Sequence, residues 1–445
     1  MIYLQAMTAN FYSTQAAISK DAIVDLSVKA SADANPNKIV AVEGAALDDL
    51  GNLIVPEAIK WASQEIAANG LNTSYCPSIG LAGLADLILE ETLGKLTLTK
   101  LKQQGVNHAG LVCSGGTNAL SVPLAACASS EDRIIVQTPH WSGYDSIALA
   151  LGHQPLLNFE FINESGNFNL EGLKETIDNA IKLSPKSKRL VIILNTPYDN
   201  PLAKEIKRSE WTELIKHLSE TNKHRELTII LDTAYMDFGP GGKDYTRLNF
   251  LVELFESLED RFNLVLATTL SKSFAMYGAR IAASILLSKN KDIASKWTDI
   301  AGGIIRGTYS SASRPGQELA LNILKDPVKL ANIHQYQKNT VELVQKRQEH
   351  LFKLLNKIDF ISDVQNDANT PLKYIRPDGV FFTGIRIEDQ NLAQMLYTAM
   401  LADHIYVPII SNKYLRLPVC AMTEEFSEEL LKRLTKTCHT CLAQR

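Results

Sequence analysis

The chain lacks any apolar run long enough to cross a bilayer, and Met1 to Ser19 has no basic segment followed by a sustained apolar one. Neither a membrane span nor a secretory leader is therefore expected. It also lacks an excess of either charge: Lys+Arg 45 against Asp+Glu 49 gives −4, which argues against a partner held by bulk electrostatics, such as nucleic acid or an anionic membrane. Local basic sites for small anions stay open. Cysteines are few and scattered, at 76, 113, 127, 420, 438 and 441, so no disulfide framework is read and a cytoplasmic location with reduced thiols is expected. The run Cys438-His439-Thr440-Cys441 has no second cysteine pair to complete a four-ligand site, and no metal is expected. Low-complexity tracts, internal repeats, and the glycine patterns of P-loops and dinucleotide folds are missing too.

What remains is a long chain, 445 residues and 45% hydrophobic, able to bury a large core in two or more lobes. Pro56 before Ala58, Ile59, Ala62 and Ile66, with Gly70 beyond, predicts a helix, and Leu81 to Leu93 predicts another. Short apolar runs then follow at 133–137, 190–194, 227–231 and 263–267, separated by helical patterns such as Ser209 to Leu218. Continuous apolar strands alternating with helices predict an α/β fold with a mostly parallel central sheet covered on both faces. A helix over 327–355 precedes a change of pattern, with a strand around 380–387 and helices near 392–401 and 424–437. The expected organisation is an N-terminal segment 1–54 that contributes to a smaller lobe, a large domain 55–326, and a small α/β domain 327–445.

Three places carry chemistry. Ser114-Gly115-Gly116-Thr117 precedes a helical stretch, so free backbone N–H groups at a helix start favour an anion. Alone, such a pair is an ordinary turn. Asp232-Thr-Ala-Tyr235 sits at the C-terminal end of an apolar strand, the edge of a parallel sheet where ligands collect; Asp232 could equally cap a turn. Lys272, in Thr269-Leu-Ser-Lys272-Ser-Phe-Ala-Met-Tyr-Gly278-Ala-Arg280, lies just past another strand, where partial desolvation would make its amine a usable nucleophile towards an aldehyde. An anion cradle, an amine, a carboxylate and a phenol in this order suit pyridoxal 5'-phosphate.

At these residues the chain resembles the aspartate and aromatic amino acid aminotransferases of the fold-type-I pyridoxal-phosphate enzymes, class I and II. The resemblance begins at Asn35-Pro-Asn-Lys-Ile39 and Gly44, passes through Tyr75-Cys-Pro-Ser-Ile-Gly80 and Asn195-Thr-Pro-Tyr-Asp-Asn200-Pro201, and ends at Tyr414-Leu-Arg416. It implies Lys272 as the Schiff-base lysine, Asp232 as partner of the pyridine nitrogen, and Tyr235 with Asn200 as donors to the phenolic oxygen. It further implies Trp141 stacking on the ring, and Gly115, Gly116, Thr117, Thr269 and Arg280 around the phosphate. Arg416, with Gly44, would hold the substrate's α-carboxylate; Trp141 and Asn200 would also touch substrate. Tyr75 and Arg306 would serve the neighbouring subunit's site, which implies a homodimer with shared active sites.

The activity so implied is transfer of an amino group between an acidic or aromatic L-amino acid and a 2-oxo acid, with 2-oxoglutarate the expected acceptor, in ping-pong half-reactions. A lyase, decarboxylase or synthase on the same scaffold is the alternative, and a non-catalytic ligand-binding module a more distant one. Three departures bear on the site. The family's asparagine-proline-threonine-glycine becomes Asn200-Pro-Leu-Ala203, Tyr144 stands where aspartate aminotransferases commonly carry a histidine supporting the pyridine-facing aspartate, and no glutamate precedes Arg280.

Overall fold

In the computed structural model, which describes residues 22–443 apart from 222–224, 259–260 and 367–368, the apolar runs become adjacent strands of one sheet. The segment Met1 to Ser19 lies outside the described residues. The N-terminal part supplies helix α1 (Ala22–Ala32), a short strand β1 (Ile39–Val40), and helices α2 (Glu57–Ala68) and α3 (Leu84–Gln103). Strands β2 (Asn107–Ser114), β3 (Ile134–Thr138), β4 (Leu157–Glu160), β5 (Arg189–Asn195), β6 (Glu226–Asp232), β7 (Phe262–Thr269) and β8 (Ile281–Ser288) follow. Among the described residues they form a seven-stranded sheet in the order β2-β8-β7-β6-β5-β3-β4, in which β8 alone runs antiparallel to its neighbours.

Successive side chains of a strand point to opposite faces, and here both faces are apolar. Ile192, Leu194, Ile229, Leu231, Leu264 and Leu266 enter one buried cluster. Their neighbours Val191, Ile193, Ile230, Val265 and Ala267 enter another on the far side. Helices cover both faces: α4 (Gly115–Cys127) and α5 (Gly143–Ala150) follow β2 and β3, while α6 (Leu170–Leu183), α7 (Arg208–Thr221) and α8 (Phe250–Ser257) alternate with the later strands. A single turn, α9 (Leu270–Ser273), leaves β7 before β8. Strands β2, β4 and β8 were not among the expected ones. The runs of β2 and β8, Asn-His-Ala-Gly-Leu-Val-Cys-Ser and Ile-Ala-Ala-Ser-Ile-Leu-Leu-Ser, are rich in small and polar residues, and they become strands by pairing with each other over eight positions, while the four-residue β4 pairs with β3 at the sheet edge.

Beyond the sheet come α10 (Lys291–Thr308), α11 (Arg314–Lys325) and the long α12 (Pro327–Leu355). The last begins where the sequence predicts: Pro327 occupies the first turn, and the Asp326 side chain accepts from the N–H groups of Val328 and Lys329. A second sheet contains β9 (Ile361–Asp363), β10 (Leu372–Tyr374), β11 (Thr383–Ile387), β13 (Ile409–Ile410) and β14 (Tyr414–Leu417), in the order β13-β14-β11-β10-β9. Helices α13 (Gln390–Ala402) and α14 (Glu424–Ala443) pack beside it over a core of its own. Strand β12 (Ile405–Tyr406) leaves this sheet to pair in parallel with β1. The strand expected over 380–387 starts only at Thr383: the Val380 N–H donates to the Phe238 carbonyl, and Phe381 and Phe382 pack their rings against Tyr235 and Phe238.

Candidate functional site

In a parallel sheet the carboxyl ends of neighbouring strands gather along one edge, where ligands bind. Here Asn195 ends β5, Asp232 ends β6 and Thr269 ends β7, with Asn195 paired in register to Asp232. The Asn195 amide donates to the Asp232 backbone carbonyl at 2.9 Å, and its own oxygen accepts the Asn200 N–H at 2.8 Å. That hydrogen-bonded seam joins the strand ends to the asparagine-proline loop. In this loop Ala203, where the resemblance puts a glycine, adopts φ +53°, and the buried Asp199 side chain accepts from the N–H groups of Leu202 and Lys204.

A cavity of about 220 Å³ opens along this edge. Its lining brings together Gly116, Thr117, Trp141, Asn200, Asp232, Tyr235, Thr269, Lys272 and Arg280, nine of the residues singled out in the sequence. Gly115 lies just outside, but it makes the cavity possible. Its φ of +78° starts α4, and a side chain there would sit 2.3 Å from the Arg280 guanidinium. The free N–H groups of the α4 N-terminus and Arg280 therefore converge on one end, a favourable place for an anion. The Thr269 hydroxyl, which caps α9 by accepting the Ser271 N–H at 3.2 Å, faces the same end.

Asp232 and Lys272 supply the opposed chemistry. The Asp232 carboxylate accepts the Tyr144 hydroxyl at 2.6 Å on one oxygen and the Ala234 N–H at 3.1 Å on the other. The turn-capping reading and the functional one thus both hold. Burial raises its pKa to about 6, against the lowering effect of those two donors. Lys272 feels burial in the opposite sense, down to about 8, with the Arg416 and Arg280 charges adding to the shift. Its Nζ donates to the Gly44 carbonyl at 3.0 Å and lies over the Tyr277 ring at 4.6 Å. Tyr235 accepts from the Asn200 amide at 3.4 Å, and burial pushes its hydroxyl pKa well up, so it keeps its proton.

A second, outer cleft of about 740 Å³ continues from the first and shares Trp141, Asn200, Tyr235, Lys272 and Tyr277 with it. Gly44 and Arg416 line this outer part. Arg416, on β14, is buried; it donates to the Asn200 side-chain oxygen at 3.3 Å and to the Val42 carbonyl, and its guanidinium lies 4.9 Å from the Phe382 ring centroid. Gly44 passes so close to Phe382 that an added Cβ would fall 2.9 Å from the ring.

Besides Gly115, two expected residues line neither cavity. Tyr75 is 94% exposed, and Arg306 is exposed at the end of α10, donating to the Ser310 hydroxyl at 2.6 Å. Conversely, Asn195, Ser271 and Tyr277 line the inner cavity without having been singled out. The available signal was adjacency, since each lies inside a motif already quoted. Tyr144 touches the site from behind through Asp232, whereas His140, four residues earlier, does not: its ring nitrogens face the Gln137 carbonyl at 2.7 Å and Asp145 at 2.9 Å.

Comparison with known proteins agrees with this geometry. The family model "Aminotransferase class I and II" matches residues 37–434. A mitochondrial aspartate aminotransferase of Dictyostelium discoideum is 25% identical over 341 residues, 76% of each chain. Among solved structures, the aspartate aminotransferase of Saccharomyces cerevisiae cytoplasm superposes with a TM-score of 0.79 at 18% identity, covering 97% of this chain and 99% of that one. An aromatic-amino-acid aminotransferase from Burkholderia pseudomallei, covalently bound to pyridoxal phosphate, gives 0.76 at 18% identity over 96% and 99%. With the family match spanning most of its length and its fold shared with these structures, the chain belongs to the class I and II aminotransferases, fold-type-I enzymes that use pyridoxal phosphate to move amino groups between amino acids and 2-oxo acids.

Proposed function

We propose that the cavity at the ends of β5, β6 and β7 holds the cofactor and that the outer cleft receives an acidic or aromatic L-amino acid, with 2-oxoglutarate as the common acceptor. The observation that carries this reading is a single 220 Å³ space lined at once by an amine, a carboxylate, a phenol with its amide partner, an indole, and an anion-favouring helix start beside Arg280. These groups fit pyridoxal phosphate one for one. When bound, the cofactor supplies a protonated aromatic ring that accepts the electron pair left as the substrate's Cα–H bond breaks.

The chain's own residues have distinct tasks in this reading. Asp232 keeps the ring nitrogen protonated; its burial strengthens that pairing because water does not compete. Tyr235 and Asn200 donate to the phenolic oxygen, and Trp141 covers a ring face. Gly115, Gly116, Thr117, Thr269 and Arg280 hold the phosphate. Lys272 attaches the cofactor and, once displaced by the substrate's amine, moves a proton at Cα as base and then acid, a task suited to an amine brought down to about 8 by burial. Arg416 pairs the α-carboxylate in a planar, two-pronged contact that orients the amino acid, with Gly44 leaving room beside it.

Several further assignments go with this reading. Residues 55–326 serve as the cofactor-binding domain, and 327–445 with the segment 1–54 as the smaller one, supported by the pairing of β1 with β12. The protein works as a homodimer in which Tyr75 and Arg306 reach the opposite subunit's site, a reading supported by their exposure and their absence from the lining of their own cleft. A cytoplasmic location is supported by six free cysteines, four of them buried. For the donor side chain, the mouth of the outer cleft favours the aromatic class: Val24, Val28, Val42, Leu47 and Leu53 line it, and the one carboxylate among the described lining residues is Glu43. The test is a half-reaction screen, following the holoenzyme's cofactor spectrum with each amino acid in turn. Conversion by phenylalanine, tyrosine or glutamate is the expected result, and no conversion by any amino acid would reject the reading.

A further inference from the structure

We propose that Arg347, on α12, is a positioning residue for the substrate: its guanidinium ties the loop that forms one rim of the outer cleft to the turn that follows β14, and so sets the spacing between Gly44 and Arg416 that the α-carboxylate must enter. The inference rests on the reading of Gly44 and Arg416 given above and extends it to a side chain that lines neither cavity.

Arg347 is 2% exposed and directs its donors at two backbone carbonyls and a carboxylate. Nη1 donates to the Leu47 carbonyl at 2.8 Å and to the Cys420 carbonyl at 3.1 Å, and Nη2 to Asp49 Oδ1 at 2.7 Å. The Leu47 N–H donates to the same Cys420 carbonyl at 3.0 Å, so rim and turn meet at one oxygen. On the rim side, Leu47 follows Gly44 closely in the chain and pairs with Leu53 in an isolated bridge, and both leucines line the outer cleft. On the turn side, Cys420 follows Arg416 just as closely, and its N–H donates to the Phe381 carbonyl at 3.2 Å, beside the Phe382 ring that stands against both Gly44 and Arg416. The next residue of α12, Gln348, donates to the Gly379 and Val380 carbonyls at 3.1 and 3.0 Å, so the helix also holds the approach to that ring.

Packing alone does not call for an arginine here. A buried charge paired with one carboxylate, itself 74% exposed, is costlier to desolvate than a hydrocarbon side chain of like volume; what the guanidinium adds is a rigid plane of donors in fixed directions. The other ties on this rim are weaker or less permanent. The Ala46 N–H reaches the Tyr277 hydroxyl at 3.3 Å, beyond the usual length of such a bond, and the Gly44 carbonyl is held by Lys272 Nζ at 3.0 Å. In the proposed function Lys272 is committed to the cofactor and then to the proton at Cα, so its bond to Gly44 is given up during the reaction. Arg347 takes no part in that exchange and keeps the rim against the β14 turn throughout.

The test compares the native holoenzyme with Arg347→Met, Arg347→Lys and, as a control on the underlying reading, Arg416→Ala. Single-turnover half-reactions with phenylalanine and with glutamate give the maximal rate and the concentration at which half of it is reached; the dissociation constant of pyridoxal phosphate is measured separately. Displacing the rim from Arg416 weakens the grip on a group that every donor carries, so the Met variant should need about 10- to 100-fold more of either amino acid, while its maximal rate and cofactor affinity change by less than about 3-fold. The Lys variant keeps the charge without the planar fork and should recover part of that loss. A Met variant with native half-saturation for both donors overturns the proposal. So does one whose cofactor affinity and maximal rate fall as far as its donor affinity, since that is the mark of a fold loosened everywhere. If the Met variant does not fold, the Lys variant decides by the same two criteria. Arg416→Ala behaving like the native enzyme would reject the reading of the α-carboxylate site itself, whereas native behaviour in the Arg347 variants alone would reject only this inference.

Discussion

At the floor of the cleft Asn195, Asp232 and Thr269 stand at the ends of adjacent strands, each less than a tenth exposed and each hydrogen-bonded to its surroundings. At the mouth, Val24 and Val28 of α1 are 59% and 62% exposed, and Glu43 is exposed beside them. The floor draws its precision from the sheet, whose register sets Asn195 directly beside Asp232 and Asp232 beside Ala267. The mouth is built from an N-terminal segment held by the β1–β12 pair, by the Val42 carbonyl under Arg416, by Arg347 on the Leu47 carbonyl and Asp49, and by Asp33 accepting from Tyr406. In the proposed function, groups that act on any amino acid therefore sit at buried strand ends, and groups that face the donor's side chain sit on an exposed rim.

Breaking the floor should have the largest effect. In the proposed function Lys272 both attaches the cofactor and carries the proton, so transamination by Lys272→Ala should fall by at least ~10⁴-fold, the upper range for a positioned proton carrier. Borohydride treatment and peptide mapping should put the cofactor's mass on Lys272 in the native protein; finding it on another lysine would remove the central assignment. The same amine gives a pH signature. Only its unprotonated form attacks the aldehyde, so the rate at which apoenzyme takes up pyridoxal phosphate should rise with pH to a midpoint of about 8 and then level off. A rate still climbing towards the ordinary lysine range would mean the side chain is less buried than it is here.

Arg416→Ala lies at the junction of the two regions. Every amino acid carries an α-carboxylate, so kcat/KM should drop for all donors by about 2–5 kcal/mol of transition-state stabilisation. A loss confined to one class of donor would separate Arg416 from the α-carboxylate. Arg306→Ala should divide the donors instead. If the arginine reaches the opposite subunit's cleft, glutamate and aspartate lose about 2–5 kcal/mol while phenylalanine and tyrosine lose much less. Equal losses across all four substrates would show that it does not select a distal carboxylate.

The smallest change is expected at the mouth itself. Glu43 lines the outer cleft as an exposed carboxylate, so Glu43→Gln should raise kcat/KM for dicarboxylic donors by about 2- to 5-fold, the scale of a solvent-screened charge, and leave aromatic donors unchanged. Unchanged values for both classes would place the choice of donor elsewhere, with Arg306 the next candidate.

How far the sequence carries this picture differs along the chain. Lys272, Asp232 and Arg416 were legible because each follows or lies in a strand whose apolar run announces it, within a motif of recognisable order. Tyr144 was visible only as a departure from a histidine, and nothing local indicates that its hydroxyl reaches a carboxylate 88 residues away. Strands β2 and β8 were missed for the same kind of reason, since Ala, Ser and Gly gain strand geometry from the partner they pair with and not from their own propensity.

By itself, the sequence determined the alternation of buried strands and covering helices, because continuous apolar runs of strand length can be satisfied only between two layers of helix. It also determined which functional groups were available. The tertiary structure decided where they meet: the strand order that sets β7 beside β6 and β6 beside β5, the return of β14 to bring Arg416 against Val42 and Asn200, and the packing of α5 that points Tyr144 at Asp232. Those encounters join residues far apart in the chain and depend on burial at the ends of a whole sheet, a property no local stretch of residues possesses.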